Sequence, residues 1–113
     1  MLASVIIPHH NRIDHLSLVL RSLIQQSITL EKFEIIVVDD GSNGQKLDIE
    51  HPSMHILYSE HRGAAYARNR GMSIAKGEVF IFLDCDIIVS PLFIENHINF
   101  HKRFNHHLAI GLL

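Results

Sequence analysis

Short, continuous apolar runs alternate along this chain with segments of helical periodicity, and this alternation most constrains the fold. Strands are predicted at residues 3–8, 33–38, 54–59 and 78–83, with the start of another at 107–113. Helices are predicted at residues 11–26, 63–77 and 90–104. Continuous apolar strands that alternate with helices indicate a mostly parallel sheet with helices on both faces. We therefore predict an α/β fold with one domain over residues 1–113, a length that fits a single domain.

Two helix starts carry capping signals. Asn11 is expected to cap the first helix, with Asp14 in the acidic position three residues later. Ser90 is expected to cap the last helix, with Pro91 at its first helical position.

Charge and cysteine content exclude several classes of protein. A formal net charge of -2 speaks against a nucleic-acid binder, which usually carries a basic excess. The single cysteine excludes an internal disulfide and favours a reducing compartment. No apolar run is long enough to span a bilayer, and Met1–Ser4 does not resemble the start of a signal peptide. We expect a cytoplasmic protein that can reach the inner face of the membrane through partners.

Polar residues follow the predicted strands, and parallel sheets bind ligands beyond the carboxyl ends of their strands. Asp84 and Asp86 come directly after the fourth strand. Two neighbouring carboxylates repel each other, and a divalent cation such as Mg²⁺ or Mn²⁺ would remove that repulsion. The alternative is a pair of solvated turn aspartates.

The second strand ends in Asp39 and Asp40, either of which could accept hydrogen bonds from a ribose or a base. The alternative is an ordinary Asp-Gly turn with Gly41. Arg68 lies on a predicted helix with a face of small residues, from which its guanidinium could reach a base or a phosphate. The alternative for Arg68 is a solvated helix face.

Histidine is unusually frequent, at 10 of 113 residues. His97 and His101 are spaced by four residues, as in some zinc sites, but no third ligand is evident, so a half-exposed helix face is favoured. His9 and His10 lie at the end of the first strand, beside the expected ligand. Cys85 lies between two aspartates, where a lowered pKa and a nucleophilic role are not expected.

Four segments taken together resemble the family 2 nucleotide-sugar glycosyltransferases, which have the GT-A fold. The matching segments are Ser4–Pro8 with Asn11-Arg12, FEIIVVDDGS at 33–42, GAAYARNRG at 63–71, and Lys76-Gly77-Glu78 with FIFLDCD ending at Asp86. They occur in the family's order and touch most of the chain. The resemblance implies a Rossmann-like domain that binds a nucleotide sugar.

The resemblance also implies roles for individual residues. Pro8 and Asp40 would line the uracil and ribose pocket, and Arg68 would contact the nucleotide. Asp84 would hold the ribose and the metal, and Asp86 would be the more direct ligand of Mn²⁺ or Mg²⁺ on the diphosphate. The implied reaction transfers a sugar from a nucleoside-diphosphate sugar, UDP-sugar by expectation, to a hydroxyl group.

The chain departs from the family in its length, because members continue for roughly as many residues again. We identify no catalytic residue here and expect the general base beyond residue 113, together with the site for a carbohydrate, lipid-linked or protein acceptor. The chain alone is expected to bind the donor without transferring sugar, and its apolar end favours self-association or a partner chain. The alternative is a non-catalytic nucleotide-binding remnant or interaction module.

Overall fold

The computed structural model of the chain describes residues 1–43, 47 and 50–103, so the strand predicted at 107–113 lies outside the described residues. Four strands form one sheet in the order β3-β2-β1-β4, and every neighbouring pair is parallel. The elements in chain order are β1 (Ala3–His9), α1 (Ile13–Ile24), β2 (Phe33–Asp40), β3 (Met54–Ser59), α2 (Ala64–Ile74), β4 (Val79–Phe82) and α3 (Phe93–Arg103). The predicted α/β fold with a parallel sheet is confirmed.

The two faces of the sheet are covered by different helices. The larger core contains the buried apolar side chains of α1 and α3 and the odd-numbered apolar residues of β1 and β2. The smaller core joins Ile6, Ile36 and Val38 to Ala67 of α2. A Cβ atom at Gly71 would lie 2.5 Å from Cγ2 of Ile6, so glycine lets α2 approach the sheet closely.

Both predicted helix caps are wrong. Arg12 is the N-cap residue of α1 and makes no side-chain capping bond. Asn11 instead adopts a φ of 52°, and its Oδ1 accepts the N–H of Asn43 at 2.8 Å. The last helix begins at Phe93 rather than at Pro91, and the main-chain oxygen of Ser90 accepts the N–H of Phe93 at 3.1 Å.

A buried polar network fastens the turn before β4 to the amino end of the sheet. Oε2 of Glu34, which is buried, accepts the hydroxyl of Ser4 at 2.5 Å and the N–H of Lys76 at 2.6 Å. The N–H of Gly77 donates to Oγ of Ser4 at 2.8 Å. A Cβ atom at Gly77 would lie 2.4 Å from the carbonyl carbon of Ala3, so this turn has no room for a side chain.

His97 is fully buried, so the half-exposed position predicted for it is wrong. Its ring packs edge-on against Phe93 at 4.6 Å between centroids. Neither ring nitrogen has a hydrogen-bond partner within the described ranges, and the same holds for Nε2 of the partly buried His101. Burial, with a smaller effect of His101, lowers the pKa of His97 to about 4.

In the part of the chain that the structure describes, none of the helices has the length and apolar character needed to cross a membrane.

We predict that Gly77→Ala lowers the free energy of unfolding by about 1–3 kcal/mol, because its methyl group must displace the backbone of β1. Urea denaturation of the two proteins measures this difference. Asn69→Ala, at an exposed position of α2, is the matched control and should have little effect. Equal stability of the Gly77→Ala variant and the parent would contradict the close packing of this turn.

His97 should make stability depend on pH. Its pKa is about 4 in the folded chain, against about 6.5 when unfolded, so the unfolded chain binds the extra proton first as the pH falls. Stability is fully present above about pH 6.5 and declines towards pH 4. Relative to pH 8, we expect a loss of about 2 kcal/mol at pH 5 from this residue.

The variant His97→Leu tests this dependence by removing the titrating group. The difference in unfolding free energy between pH 8 and pH 5 should shrink by about 2 kcal/mol in this variant. His15→Leu, at an exposed position of α1, should retain the full difference. An unchanged pH dependence in His97→Leu would show that His97 is not buried as a neutral ring.

Candidate functional site at the carboxyl edge of the sheet

The five residues singled out from the sequence lie on elements that meet at the carboxyl edge of the sheet. Pro8 is half-buried on the central strand β1, and Asp40 is the buried last residue of β2. Arg68 is half-buried on α2, which packs against both of these strands. Asp84 and Asp86 are exposed in the turn after β4, the other neighbour of β1.

The turn after β4 presents two carboxylates to solvent. The N–H of Leu83 donates to the main-chain oxygen of Ile6 at 3.0 Å, so the parallel register continues to the start of this turn. The side-chain carboxylates of Asp84 and Asp86 make no hydrogen bond or ion pair with any other described residue. No group of three or more metal-ligating side chains occurs within the described ranges. A cation at these carboxylates would therefore take its remaining oxygen ligands from water or from a bound ligand.

Cys85, between the two aspartates, is partly buried. Burial raises the pKa of its thiol, and the negative charge of Asp86 raises it further, while Arg12 acts in the opposite direction. Since the thiolate is the reactive form, this thiol is unsuited to act as a nucleophile, as predicted.

The carboxylate of Asp40 joins the end of β2 to the start of α2. Its Oδ1 accepts the N–H of Arg62 at 2.7 Å, and its Oδ2 accepts the N–H of Gly63 at 3.0 Å. Nδ1 of His61 also lies 3.1 Å from Oδ2. Burial alone would raise the pKa of Asp40, but these hydrogen bonds and the charge of His61 together hold it below its usual value.

Two histidine rings stack beside Asp40. The rings of His10 and His61 lie 4.0 Å apart between centroids, with 23° between their planes. Nδ1 of His10 is 2.6 Å and Nδ1 of His61 is 3.1 Å from the main-chain oxygen of Asp40. Because a carbonyl oxygen can only accept, both Nδ1 atoms carry the proton.

A second set of contacts joins the loops after β1 and β2 on the side of α1. Nε2 of the buried His9 accepts the N–H of Arg12 at 2.9 Å, and its Nδ1 lies 3.6 Å from Oδ1 of Asp39. Burial lowers the pKa of His9, although Asp39 acts in the opposite direction, so His9 is neutral near pH 7. The hydroxyl of Ser42 accepts the N–H of Asn11 at 2.7 Å. Residues of both loops line a cleft of about 190 Å³.

The loop after β3 also belongs to this edge, although none of its residues was predicted. The predicted polar residues follow the first, second and fourth strands, yet His61, Arg62 and Gly63 contact Asp40 directly. These residues follow a strand of the same parallel sheet. The rule that selected the other three loops would therefore have found this one too.

The family model for Glycosyl transferase family 2 matches residues 4–113 of the chain. The chain is 36% identical over 118 aligned residues to the uncharacterized glycosyltransferase YfnE of Bacillus subtilis (strain 168), an alignment that covers 99% of the chain. The alignment covers 30% of that relative, so the chain spans about a third of its length.

Solved structures agree with this match. The chain superposes on the crystal structure of S. aureus TarS 1-349 in complex with UDP-GlcNAc with a TM-score of 0.79 and 27% identity, covering 91% of the chain and 32% of TarS. The mannosyltransferase PcManGT of Pyrobaculum calidifontis, in complex with GDP-Man and Mn²⁺, gives a TM-score of 0.73 and 25% identity. This superposition covers 83% of the chain and 30% of PcManGT. These matches confirm the predicted resemblance and its fold.

We predict that Asp40→Asn destabilises the chain by about 1–3 kcal/mol, because the amide nitrogen of Asn cannot accept an N–H as a carboxylate oxygen does. Urea denaturation measures the loss, and hydrogen exchange should show faster exchange of the Arg62 and Gly63 amides. Asp86→Asn, at an exposed site without described partners, should leave stability unchanged. Unaltered protection of both amides in Asp40→Asn would contradict these hydrogen bonds.

Proposed function

Because the chain belongs to glycosyl transferase family 2, we propose that the carboxyl edge of its sheet binds a nucleoside-diphosphate sugar as the donor. The proposed donor is a UDP-sugar, and its sugar is transferred to a hydroxyl group. The observation that carries the proposal is the pair of exposed, unpartnered carboxylates in the described turn after β4, at the edge where Asp40 joins β2 to α2. Solved relatives in complex with UDP-GlcNAc and with GDP-Man support a nucleotide-sugar ligand.

On the donor side we assign the nucleoside to Pro8, Asp40 and Arg68, and the ribose also to Asp84. A carboxylate has about four acceptor positions. Three groups of the protein already contact that of Asp40, namely Arg62 N–H, Gly63 N–H and His61. One position therefore remains for a donor group of the ligand, such as a ribose hydroxyl or a base N–H. The guanidinium of Arg68 makes no ion pair or hydrogen bond with other described residues, which leaves it available to the nucleotide.

We assign a divalent cation, Mn²⁺ or Mg²⁺, to Asp84 and Asp86. Their exposure and the lack of competing cationic side chains among their described contacts fit this role. Mg²⁺ is usually held by one or two carboxylates together with substrate phosphates. When bound, such a cation stabilises the negative charge that develops on the leaving diphosphate.

The chain spans about a third of the length of the relatives compared with it. We therefore assign the hydroxyl acceptor, whether a carbohydrate, a lipid-linked sugar or a protein, and the general base that deprotonates it to the remainder of a whole family member. The described residues contribute the donor side.

We predict that Asp86→Ala abolishes the Mn²⁺-dependent part of UDP binding while the fold is retained, because Asp86 is exposed and outside the core. Isothermal titration calorimetry with UDP, with and without Mn²⁺, measures the effect. Circular dichroism checks the fold.

The matched control is Glu78→Ala, which removes an exposed carboxylate at the opposite end of β4. It should bind UDP and Mn²⁺ like the parent chain. If Asp86→Ala and the parent bind UDP with the same affinity in the presence of Mn²⁺, the metal assignment is refuted.

A further inference from the structure

The loop that leads from β3 into α2 is held unusually firmly for an exposed segment. Its residues 61, 62 and 63 all contact Asp40, through the main-chain oxygen or the carboxylate. Gly41 contributes a steric requirement, since its φ is 72° and a Cβ atom there would lie 2.7 Å from the backbone nitrogen of His61. The backbone of His61 is thereby fixed against the end of β2.

The side chain of His61 is fixed as well, although 62% of it is exposed. Its Nδ1 faces Asp40, and its ring rests on the ring of His10. An exposed side chain normally loses rotamer entropy when a ligand orders it. Here hydrogen bonds and the stack have ordered the ring before any ligand arrives.

The ordered ring lies at the site assigned above to the nucleoside. His61 contacts Oδ2 of Asp40, the carboxylate to which the base or ribose is assigned. Histidine rings stack on nucleobases in the same way as other aromatic side chains. An exposed, pre-ordered aromatic ring beside a nucleoside-binding carboxylate has the properties of a stacking surface for the base.

We propose that the ring of His61 stacks on the base of the nucleotide donor, with His10 supporting it from behind. This inference rests on the proposed function and adds to it a residue that contributes to recognition of the base. His61 contacts the base through its ring face, whereas its Nδ1–H serves only to orient the ring against Asp40.

Two substitutions separate the ring from its hydrogen bond. His61→Asn keeps an N–H donor near the position of Nδ1 but has no ring, whereas His61→Phe keeps a ring and has no donor. His55→Asn is the matched control, because His55 is a half-exposed histidine of β3 that lies near Glu34, away from the carboxyl edge.

Titration calorimetry with UDP and with inorganic pyrophosphate, both with Mn²⁺, compares these variants with the parent chain. We expect His61→Asn to bind UDP about tenfold more weakly, in the range found when a stacking aromatic side chain is removed. His61→Phe and His55→Asn should stay within about threefold of the parent, and pyrophosphate binding should be the same for all four proteins. In the parent complex prepared with diamagnetic Mg²⁺ in place of Mn²⁺, nuclear Overhauser effects should connect the ring protons of His61 to H5 and H6 of uracil.

Three results would overturn the inference. The first is a folded His61→Asn variant whose UDP affinity stays within twofold of the parent. The second is an equal loss of UDP affinity and pyrophosphate affinity in His61→Asn. The third is a loss of UDP affinity in His61→Phe alone, which would make the hydrogen bond rather than the ring important. If the parent binds UDP in an Asp86-dependent manner and one of these results is found, only the role of His61 fails. If the parent does not bind UDP at all, the proposed function fails and the role of His61 fails with it.

Discussion

The carboxylate of Asp40 connects the end of β2 to the loop before α2 at the carboxyl edge of the sheet. It lies at the end of β2, and its two oxygens accept the backbone N–H groups of Arg62 and Gly63, just before α2. An isolated buried carboxylate would be costly, and these bonds supply the partners that it needs. Helix α2, which carries Arg68, begins directly after this junction.

The strands and the fold class could be predicted because they depend on short-range patterns. Each apolar run is continuous, as expected of strands buried on both faces, and the strand over Met54–Ser59 was predicted with its observed limits. The second and fourth strands were each predicted to within two residues at either end. The parallel pairing of β1 with β2 agrees with the helix predicted between them.

The helix starts and the burial of His97 could not be predicted in the same way, because they depend on contacts distant in sequence. Asn11 is an acceptable cap by residue type, but its side chain is engaged by Asn43, 32 positions later. His97 was predicted to lie on a half-exposed helix face because no third metal ligand was evident, whereas the fold buries it fully with its ring against Phe93. For the site, the residue types at the strand ends could be used to predict candidate binding residues. The sequence did not indicate which residues contact Asp40. That depends on the path of the loop after β3.

The Glu34 network lies at the amino end of the sheet, a full strand length from the proposed donor site. Its bonds join β1, β2 and the turn before β4 without involving any loop of the carboxyl edge. The fold thus has an anchor whose geometry does not depend on the identity of the residues that face the ligand. Such a separation lets the ligand-facing loops diverge in sequence from one descendant to another while the sheet beneath them keeps its register, so that new specificities can evolve on an inherited framework.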